Sequence, residues 1–465
     1  MTARDAAPSM IARRYARFVR ELSLDDVPAP VVDTAALLAL DTIGSGLASC
    51  REDFGRAVLQ AAERLGGPPE SVLIGSKNRV AAANAVLANG TLAHGLDFDD
   101  TREDAIVHTG SVAVTTALAV GEAVGASGRA VLAALIAGVE VMCRVGLAAI
   151  GKFHARHYHP TALAGVFAAA AAAGKLHGLG EDQLVHAFGI CGSQAGGIIE
   201  YLSEGTWTKR LHPGWAAHSG TIATLLARSG FTGPERVFEG EHGFYQAFAG
   251  GADRARLDAL TGTLGRVWEL GELTFKPYPC GSLAHPYMDC AGRLREQHAP
   301  RAEEIVAVRC RTSAGPVPRL WEPLESKRRP PNGYAAKFSL PYLLAAMLVK
   351  GRVGLAEFSD EAVHDPAVLR VAATVGYELD PALDAPGRFT GHVELRLRDG
   401  RVLEARQDHA RGGPAAPMTR SELEAKFLGN ATLVMPDERA ARLVHEISQL
   451  RSRDHLAGLV DLLTL

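Results

Sequence analysis

The sequence predicts a mostly α-helical protein, in which one large all-helical domain carries a smaller α+β domain. Residues 1–271 place apolar side chains at the three- and four-residue spacing of helices. Parts of residues 272–411 alternate apolar and polar side chains, as strands do, and residues 412–465 return to helical spacing. With 465 residues and 47% hydrophobic side chains, the chain can bury a large core, so we expect a helical domain interrupted by one insertion.

Five segments of the first domain are rich in Ala, Leu and Val and carry few charges. A helix that is apolar on all sides belongs in the core of a large bundle. No strand–helix alternation of the Rossmann type interrupts these segments. The predicted helices are 33–47, 81–93, 111–124, 131–148 and 161–176.

The α+β domain is predicted from two alternating segments and a hairpin. Segment 305–311 would place Val306, Val308 and Cys310 on one face, and segment 392–398 pairs with 402–406 across the tight turn Asp399-Gly400. A helix is expected over 341–348. In the tail, the helix-spaced apolar residues are expected to pack on the first domain; they are Leu423, Phe427, Leu443, Ile447 and Leu450.

Composition excludes several classes of function. The net charge is −3 and no segment concentrates Lys and Arg, so nucleic acid is not an expected partner. The longest uncharged run, 160–174, is 15 residues, short of the ~20 that span a bilayer. Arg4, Asp5, Arg13 and Arg14 leave no apolar leader, so we expect a cytoplasmic protein. The six cysteines are dispersed and form no C-x-x-C pair, which favours buried free thiols.

An acidic loop followed by a histidine is the first candidate for chemistry. Asp97, Asp99, Asp100 and Thr101 precede His108, which stands just before a predicted helix. The carboxylates and the imidazole suit general acid–base catalysis. Two alternatives stay open, since carboxylate clusters bind Mg²⁺ or Ca²⁺ and since Asp or Thr can cap a helix.

Three further segments combine cations, imidazoles and glycines. Segment 152–161 places Tyr158 and His159 before a predicted helix, which favours either an anion pocket or a polar surface loop. Segment 205–215 is predicted as a loop that carries Lys209, Arg210 and His212 between two tryptophans. Segment 275–286 carries Lys276 and His285 at the domain junction, where we expect it to line a cleft.

Taken together and in this order, these segments resemble the MmgE/PrpD family, which includes 2-methylcitrate dehydratase, cis-aconitate decarboxylase and iminodisuccinate epimerase. The resemblance covers most of the chain, through HGLDFDDT, VHTGS, HPTALAGVFAAAAAAGKLHGL, GTWTKRLHPGWAAHSG, FKPYPCGSLAH and AAKFSLPYLLA. It implies a discontinuous helical domain, a smaller lid domain, a homodimer, and no metal or organic cofactor.

The resemblance also implies which residues act. The active-site residues of the decarboxylase branch fall on Asp97, Thr101, His108, His159, Lys209 and Lys276, all expected in one cleft between the domains. That branch carries a further histidine where this chain has Gly281, and the nearest imidazole is His285. We take Asp97, His108, His159, Lys209 and Lys276 as catalytic. Substrate binding is assigned to Thr101, Tyr158, Arg210, His212 and His285.

The reactions of this family share a bond made or broken next to a carboxylate of a small polyacid. We therefore expect a cofactor-independent lyase that hydrates or dehydrates a small di- or tricarboxylate. The lysines would bind carboxylates, and His108, oriented by Asp97, or Asp97 itself would move the proton. An epimerase of a dicarboxylate and a cis-aconitate-type decarboxylase are the alternatives.

Overall fold

The structure is a computed structural model that describes residues 10–251, 253–383 and 389–465, so Arg4 and Asp5 lie outside the described residues. The chain divides into two compact units. The helical unit comprises Met1–Leu273 and Thr419–Leu465, and the α+β unit comprises Thr274–Met418. The sequence placed these boundaries at residues 271 and 411. The mostly α-helical fold class with a smaller α+β part is confirmed.

The helical unit is built around a central buried helix. That helix, α8, is buried from Pro160 to Gly174 and packs against α5, α6, α9 and α11. Its alanines and glycines let neighbouring backbones approach closely, which is why it tolerates so few large side chains. The helices are α1 Ile11–Glu21, α2 Ala29–Ser49, α3 Asp53–Leu65, α4 Ala82–His94, α5 Gly110–Ala123, α6 Gly128–Leu147, α7 Lys152–Ala155, α8 Pro160–Leu176, α9 Glu181–Gln194, α10 Tyr201–Glu204, α11 Thr208–Arg228, α12 Phe244–Ala249 and α13 Arg254–Gly262. A small antiparallel pair, β1 Ser71–Val72 and β2 Arg79–Val80, joins α3 to α4.

The α+β unit contains one four-stranded sheet with helices packed on it. Strand order is β4-β3-β5-β6, where β3 pairs parallel with β4 and antiparallel with β5. Helix α14 packs against β5, β6 and α18, and Trp321 is fully buried in this core. The elements are α14 His285–His298, β3 Ile305–Thr312, α15 Val317–Leu320, α16 Leu324–Arg328, α17 Gly333–Ala336, α18 Leu340–Lys350, α19 Pro366–Ala372, β4 Val375–Leu379, β5 Gly391–Leu397 and β6 Val402–Gln407.

The hairpin forms as predicted, but the burial of the first strand differs from the prediction. Val308 and Cys310 are buried, whereas Val306 is 46% exposed and Ile305 takes the inward position. The pairing of β3 with β5 shifts register between Ile305 and Ala307. An extra residue on one strand turns the following side chain to the opposite face, and simple alternation does not anticipate this.

The tail returns to the helical unit as α20 Arg420–Ala431, α21 Asp437–Ser448 and α22 Ala457–Val460. Helix α20 packs against α2, and the five predicted apolar residues of the tail are buried. Short 3-10 helices cover Leu24–Asp26, Glu269–Glu272, Ser282–Ala284, Leu355–Phe358, Ala362–His364, Pro381–Leu383, Leu450–Ser452 and Asp461–Leu463.

Two helices, α2 and α6, are long and apolar enough to cross a membrane by length and composition alone. In the structure, 78% of the most apolar stretch of α2 and 94% of that of α6 are buried inside the protein. Core helices have this degree of burial. All six cysteines are free and buried, as the sequence predicted.

Candidate active site

Two helices cross with almost no side chain between them, and the crossing brings the acidic loop to the first turn of α11. A Cβ on Gly90 of α4 would lie 2.8 Å from the Cα of Gly214, and one on Gly214 would lie 2.2 Å from the Leu87 carbonyl oxygen. Only glycine permits this approach. The loop after α4 and the start of α11 are neighbours for this reason.

The segment from Lys209 to His212 lies in helix α11, so the loop predicted for 205–215 is wrong over most of its length. Pro213 favoured a break, because a proline inside a helix removes one backbone hydrogen bond. The helix runs through Pro213 nonetheless, since the packing of Gly214 against α4 compensates for the lost bond. Lys209 and His212, three residues apart, then share one buried face of α11.

Asp97 and Lys209 form a buried ion pair. Lys209 Nζ donates to Asp97 Oδ2 at 3.0 Å, and the two side chains are 10% and 3% exposed. Two opposite charges survive burial only when they stay paired. A substrate carboxylate that binds Lys209 must therefore share this partner or replace it.

Asp100 caps a helix, which is one of the alternatives that the sequence left open. Its carboxylate accepts hydrogen bonds from the backbone N–H groups of Thr109 and Gly110, at 3.0 and 2.7 Å, at the start of α5. The Thr109 hydroxyl donates to it at 2.6 Å. Burial, followed by the nearby charge of Asp99, raises the pKa of Asp100 to about 7.

His94 and Asp99 form a second buried pair, which sequence reasoning did not assign. His94 Nδ1 lies 2.9 and 3.0 Å from the two carboxylate oxygens of Asp99. A carboxylate only accepts, so Nδ1 carries the proton and Nε2 carries the lone pair of the neutral ring. The His94 ring also lies 4.6 Å from that of His108, centroid to centroid. His94 and Asp99 both belong to the HGLDFDDT segment, but their spacing of five residues does not predict that their side chains touch.

His108 is oriented by contacts at its Nδ1 and its backbone N–H. Its Nδ1 lies 2.8 Å from the Asp100 carbonyl oxygen and 3.6 Å from Asp99 Oδ1. These distances connect His108 with Asp100 and Asp99, and the orienting role predicted for Asp97 stays a prediction. Because Nδ1 donates to the carbonyl, Nε2 of the neutral ring is the basic nitrogen. The Thr161 hydroxyl accepts from the His108 backbone N–H at 3.1 Å and fixes the residue.

His159 and His212 form a neutral pair beside these groups. Their Nδ1 atoms lie 3.1 Å apart, so one ring donates to the other. Burial, reinforced by neighbouring imidazoles and Lys209, lowers the pKa of His159 well below its usual value and that of His212 to about 4. The His159 ring stacks at 5.7 Å on that of His94.

The remaining candidates of the helical unit differ in how they are placed. The Thr101 hydroxyl lies 3.3 Å from His108 Nδ1, inside the cluster. The Arg210 guanidinium instead sits 4.2 Å above the Phe54 ring, and the Tyr158 ring packs edge-on against Phe248. Among the other cations and imidazoles of segment 152–161, Lys152, Arg156 and His157 are exposed and His154 is half-buried.

Lys276 and His285 belong to the α+β unit. Lys276 is 1% exposed. His285 Nε2 donates to the Cys280 carbonyl oxygen at 3.2 Å, and its ring packs edge-on against Tyr278. His285 thus helps to hold its own loop. Lys337, in the same unit, donates to the Pro279 carbonyl oxygen at 2.7 Å.

Backbone strain concentrates around the cluster. Four described non-glycine residues have a positive φ, and three of them flank it: Asp97 at 56°, Ile106 at 53° and His157 at 63°. Such conformations cost about 1–3 kcal/mol each and persist only where surrounding contacts hold them. Strain of this kind is typical of sites whose side chains must point in one direction.

The cluster also offers donors for a metal ion. His94, His108 and His159, or Asp97, Asp99 and His108, each bring three ligand atoms within 4.8 Å of one another. The imidazoles of His94 and His108 are oriented through Nδ1, as metal-bound histidines are. Their basic Nε2 atoms would suit Zn²⁺ or a similar ion. The chemistry of these donors is therefore compatible with the alternative that this cluster binds a metal ion.

The helical core and the inserted α+β unit define a mostly helical protein whose helical unit holds a buried cluster of imidazoles and carboxylates. The MmgE/PrpD N-terminal domain model matches residues 13–256, and the MmgE/PrpD C-terminal domain model matches residues 278–450. The chain belongs to the MmgE/PrpD family.

Relatives match over nearly their whole length. A cis-aconitate decarboxylase-like protein of Aspergillus oryzae is 28% identical, covering 100% of this chain and 99% of the relative. A cis-aconitate decarboxylase of Aspergillus terreus is 27% identical over 99% of this chain and 96% of its own. The human cis-aconitate decarboxylase is 26% identical over 97% of this chain and 94% of its own.

Proposed function

We propose that this protein is a lyase of the MmgE/PrpD family that acts on a small di- or tricarboxylate without a metal or organic cofactor. The single observation that carries the proposal is the buried group formed by His108, the Asp97–Lys209 pair and neutral His159. It combines a basic nitrogen with a cation for a carboxylate. The decarboxylase relatives support the lyase class.

In the proposed reaction, His108 Nε2 removes a proton from the carbon next to a substrate carboxylate. Its Nδ1–H, held by the Asp100 carbonyl, stabilises the imidazolium that forms. The hydroxyl on the adjacent carbon takes that proton from the His108 imidazolium and leaves as water, the electron pair of the broken carbon–hydrogen bond forms the carbon–carbon double bond, and His108 returns to its neutral state. Asp97 remains the alternative base, because its carboxylate lies in the same cluster.

Lys209 is proposed to bind the substrate carboxylate beside the reacting carbon. As electron density moves into that carboxylate, a fixed ammonium in a buried site stabilises the added charge. Lys276, buried in the α+β unit, is proposed as a second carboxylate-binding cation. Thr101, His212, Tyr158, Arg210 and His285 are proposed to contact the substrate. Tyr158, Arg210 and His285 also contact Phe248, Phe54 and the Cys280 carbonyl oxygen, respectively.

Decarboxylation of cis-aconitate is the second candidate, favoured by the full-length relatives of that name. This chain has Gly281 where the decarboxylase branch carries a histidine. His285 bonds to the carbonyl of Cys280 rather than taking that place. The difference favours hydration or dehydration over decarboxylation. An epimerase of a dicarboxylate would need a base on each face of the carbon, and His108 with His159 could supply them.

The deciding experiment incubates the full-length protein with citrate-like, succinate-like and cis-aconitate-like acids, in H₂O and in D₂O. We expect interconversion of an alkene and its hydrate. Release of CO₂ would favour the decarboxylase, and deuterium uptake at one stereocentre without net conversion would favour the epimerase. No conversion, CO₂ release or deuterium exchange with any acid would overturn the proposal.

The variant Gly281→His tests whether the missing histidine is the reason for low decarboxylation. A Cβ at Gly281 would meet its nearest neighbour, Phe338, at 3.4 Å, and φ is −61°, so a side chain is accommodated. If the missing histidine keeps decarboxylation low, this variant should release more CO₂ from cis-aconitate than wild type.

We also propose a homodimer and a cytoplasmic location. The apolar helices α5, α6 and α8 are buried within the helical unit itself, so they need no second copy to cover them. A different apolar surface lies at the start of α11, where the N-cap residue Trp207 and the helix residues Leu211 and Trp215 are 49%, 36% and 48% exposed. A spacing of four residues puts them on one face, which we propose as the contact between two copies.

A further inference from the structure

The tail helix α20 places one lysine underneath the acidic loop. Lys426 Nζ lies 2.6 Å from Asp41 Oδ1 and donates to the Phe98 carbonyl oxygen at 2.7 Å. The same ammonium sits 3.8 Å from the centre of the Phe98 ring. The Lys426 and Asp41 side chains are only 6% and 1% exposed.

A close helix contact makes this reach feasible. Helix α20 packs on α2, and a Cβ on Gly44 of α2 would lie 2.9 Å from Cδ2 and 3.3 Å from Cα of Phe427. Gly44 therefore allows the backbones to approach. Phe427, next to Lys426, is buried in that contact. The chain must fold back across the whole α+β insertion before Lys426 can take this position.

Phe98 stands between two residues of the candidate site. Asp97, with its left-handed φ of 56°, pairs with Lys209, and Asp99 holds His94. The Phe98 carbonyl is part of the backbone that joins them. An ammonium bound to this carbonyl fixes the direction of the peptide unit, and thereby the direction of both carboxylates.

We propose that Lys426 is a positioning residue for the proposed reaction, with Asp41 as its counter-ion. Its ammonium holds the Phe98 carbonyl, so that Asp97 and Asp99 face Lys209 and His94 in the strained loop. Lys426 acts through the backbone and touches no substrate. The inference rests on the proposed function, because its effect is read from turnover.

The test separates positioning from stability. In Lys426→Met, a buried Asp41 loses its partner, so both the melting temperature and kcat should fall. In the double variant Lys426→Met with Asp41→Asn, no unpaired charge remains and the melting temperature should recover. We expect kcat of the double variant to stay at least about 10-fold below wild type while KM changes less than about threefold.

Lys175→Met is the matched control. Lys175 is also partly buried and also donates to a backbone carbonyl, that of Val19, at 2.8 Å. It lies at the far end of α8, about 24 Å along the helix from His159. This variant should keep the kcat of wild type. Lys426→Arg keeps the charge but not the geometry of the lysine. Compared with Lys426→Met, it should restore more of the lost melting temperature than of the lost kcat.

A double variant with the kcat of wild type would overturn the inference. So would a double variant whose loss of kcat is fully explained by a smaller fraction of folded protein. If the wild-type protein converts none of the acids, the proposed function fails instead, and the variants are then compared by crystallography. A Phe98 carbonyl that keeps its direction in Lys426→Met with Asp41→Asn would equally overturn the positioning role.

Discussion

Lys209 Nζ lies 3.0 Å from Asp97 Oδ2, across 112 positions of sequence, and both side chains are buried. Removing one charge of this pair takes from the other a partner at hydrogen-bond distance in a buried site, which is costly. The pair is for this reason the most sensitive point at which to test the proposed chemistry.

Lys209→Ala should cost roughly 2–5 kcal/mol of transition-state stabilisation, measured from kcat/KM, because a desolvated ion partner of the substrate is lost. Lys175→Ala serves as the control, since it removes a partly buried lysine elsewhere. A kcat/KM within about twofold of wild type for Lys209→Ala would remove Lys209 from the site.

His108→Ala should lower kcat by roughly 10²–10⁴-fold and change KM much less, because its role is proton transfer. Steady-state kinetics with the best acid of the panel measures both. His186→Ala is the control, because His186 hydrogen-bonds to the Gly233 carbonyl, in a different part of the helical unit. Near-wild-type turnover of His108→Ala would assign the base to another group, with Asp97 the first to test.

Activity should survive removal of metal ions, although the three imidazoles could hold one. The measurement is turnover after dialysis against EDTA, together with the metal content of the purified protein. Loss of turnover on chelation and its recovery with Zn²⁺ or Mg²⁺ would show that the donors of His94, His108 and His159 hold a required ion.

The contribution of His212 and His159 to the stability of the protein should fall as the pH drops from about 6.5 towards 4. The pKa of His212 is lowered to about 4 and that of His159 also lies well below 6.5. In this window these two imidazoles bind protons in the unfolded chain but not in the folded chain, so their contribution to the free energy of unfolding decreases. Unfolding in urea at a series of pH values should show a shallower decrease for His212→Asn. An unchanged slope would mean that His212 titrates alike in both states.

Asp100 acts in the opposite direction, because its pKa is raised to about 7. Between about pH 4 and 7 the folded chain keeps a proton that the unfolded chain has lost, so this group lowers stability as the pH rises. The comparison of His212→Asn with wild type cancels this contribution, because Asp100 is present in both proteins.

The protein should be a dimer at micromolar concentration. Leu211→Lys combined with Trp215→Lys should yield monomers, since charges replace the exposed apolar face of α11. Light scattering measures the mass, and Leu433→Lys, at a residue that is 56% exposed in the turn between α20 and α21, is the control. A monomeric wild type would contradict the dimer, and a dimeric double variant would place its contact elsewhere.

Much of the fold was determined by local patterns in the sequence. The segments predicted at 161–176 and 341–348 lie in α8 Pro160–Leu176 and α18 Leu340–Lys350, because an apolar periodic segment can satisfy its backbone only as a helix. The hairpin at Asp399-Gly400 likewise follows from turn chemistry, with Gly400 at φ 91°. For the site, the resemblance of the motifs supplied the main candidates, and composition alone left Asp97 and Asp100 with several roles.

Tertiary contacts decided what local patterns could not. Pro213 would end an isolated helix, yet the crossing of Gly214 on α4 keeps α11 intact and turns Lys209 inward. Asp100 became a cap and Asp97 an ion-pair partner because of where α5 and α11 lie. Lys426 reads in the sequence as one polar residue of an ordinary tail helix. Lys426 reaches the Phe98 carbonyl only when segments 328 residues apart pack together. No local sequence pattern predicts such a contact, because the two surfaces that meet form only when the chain folds.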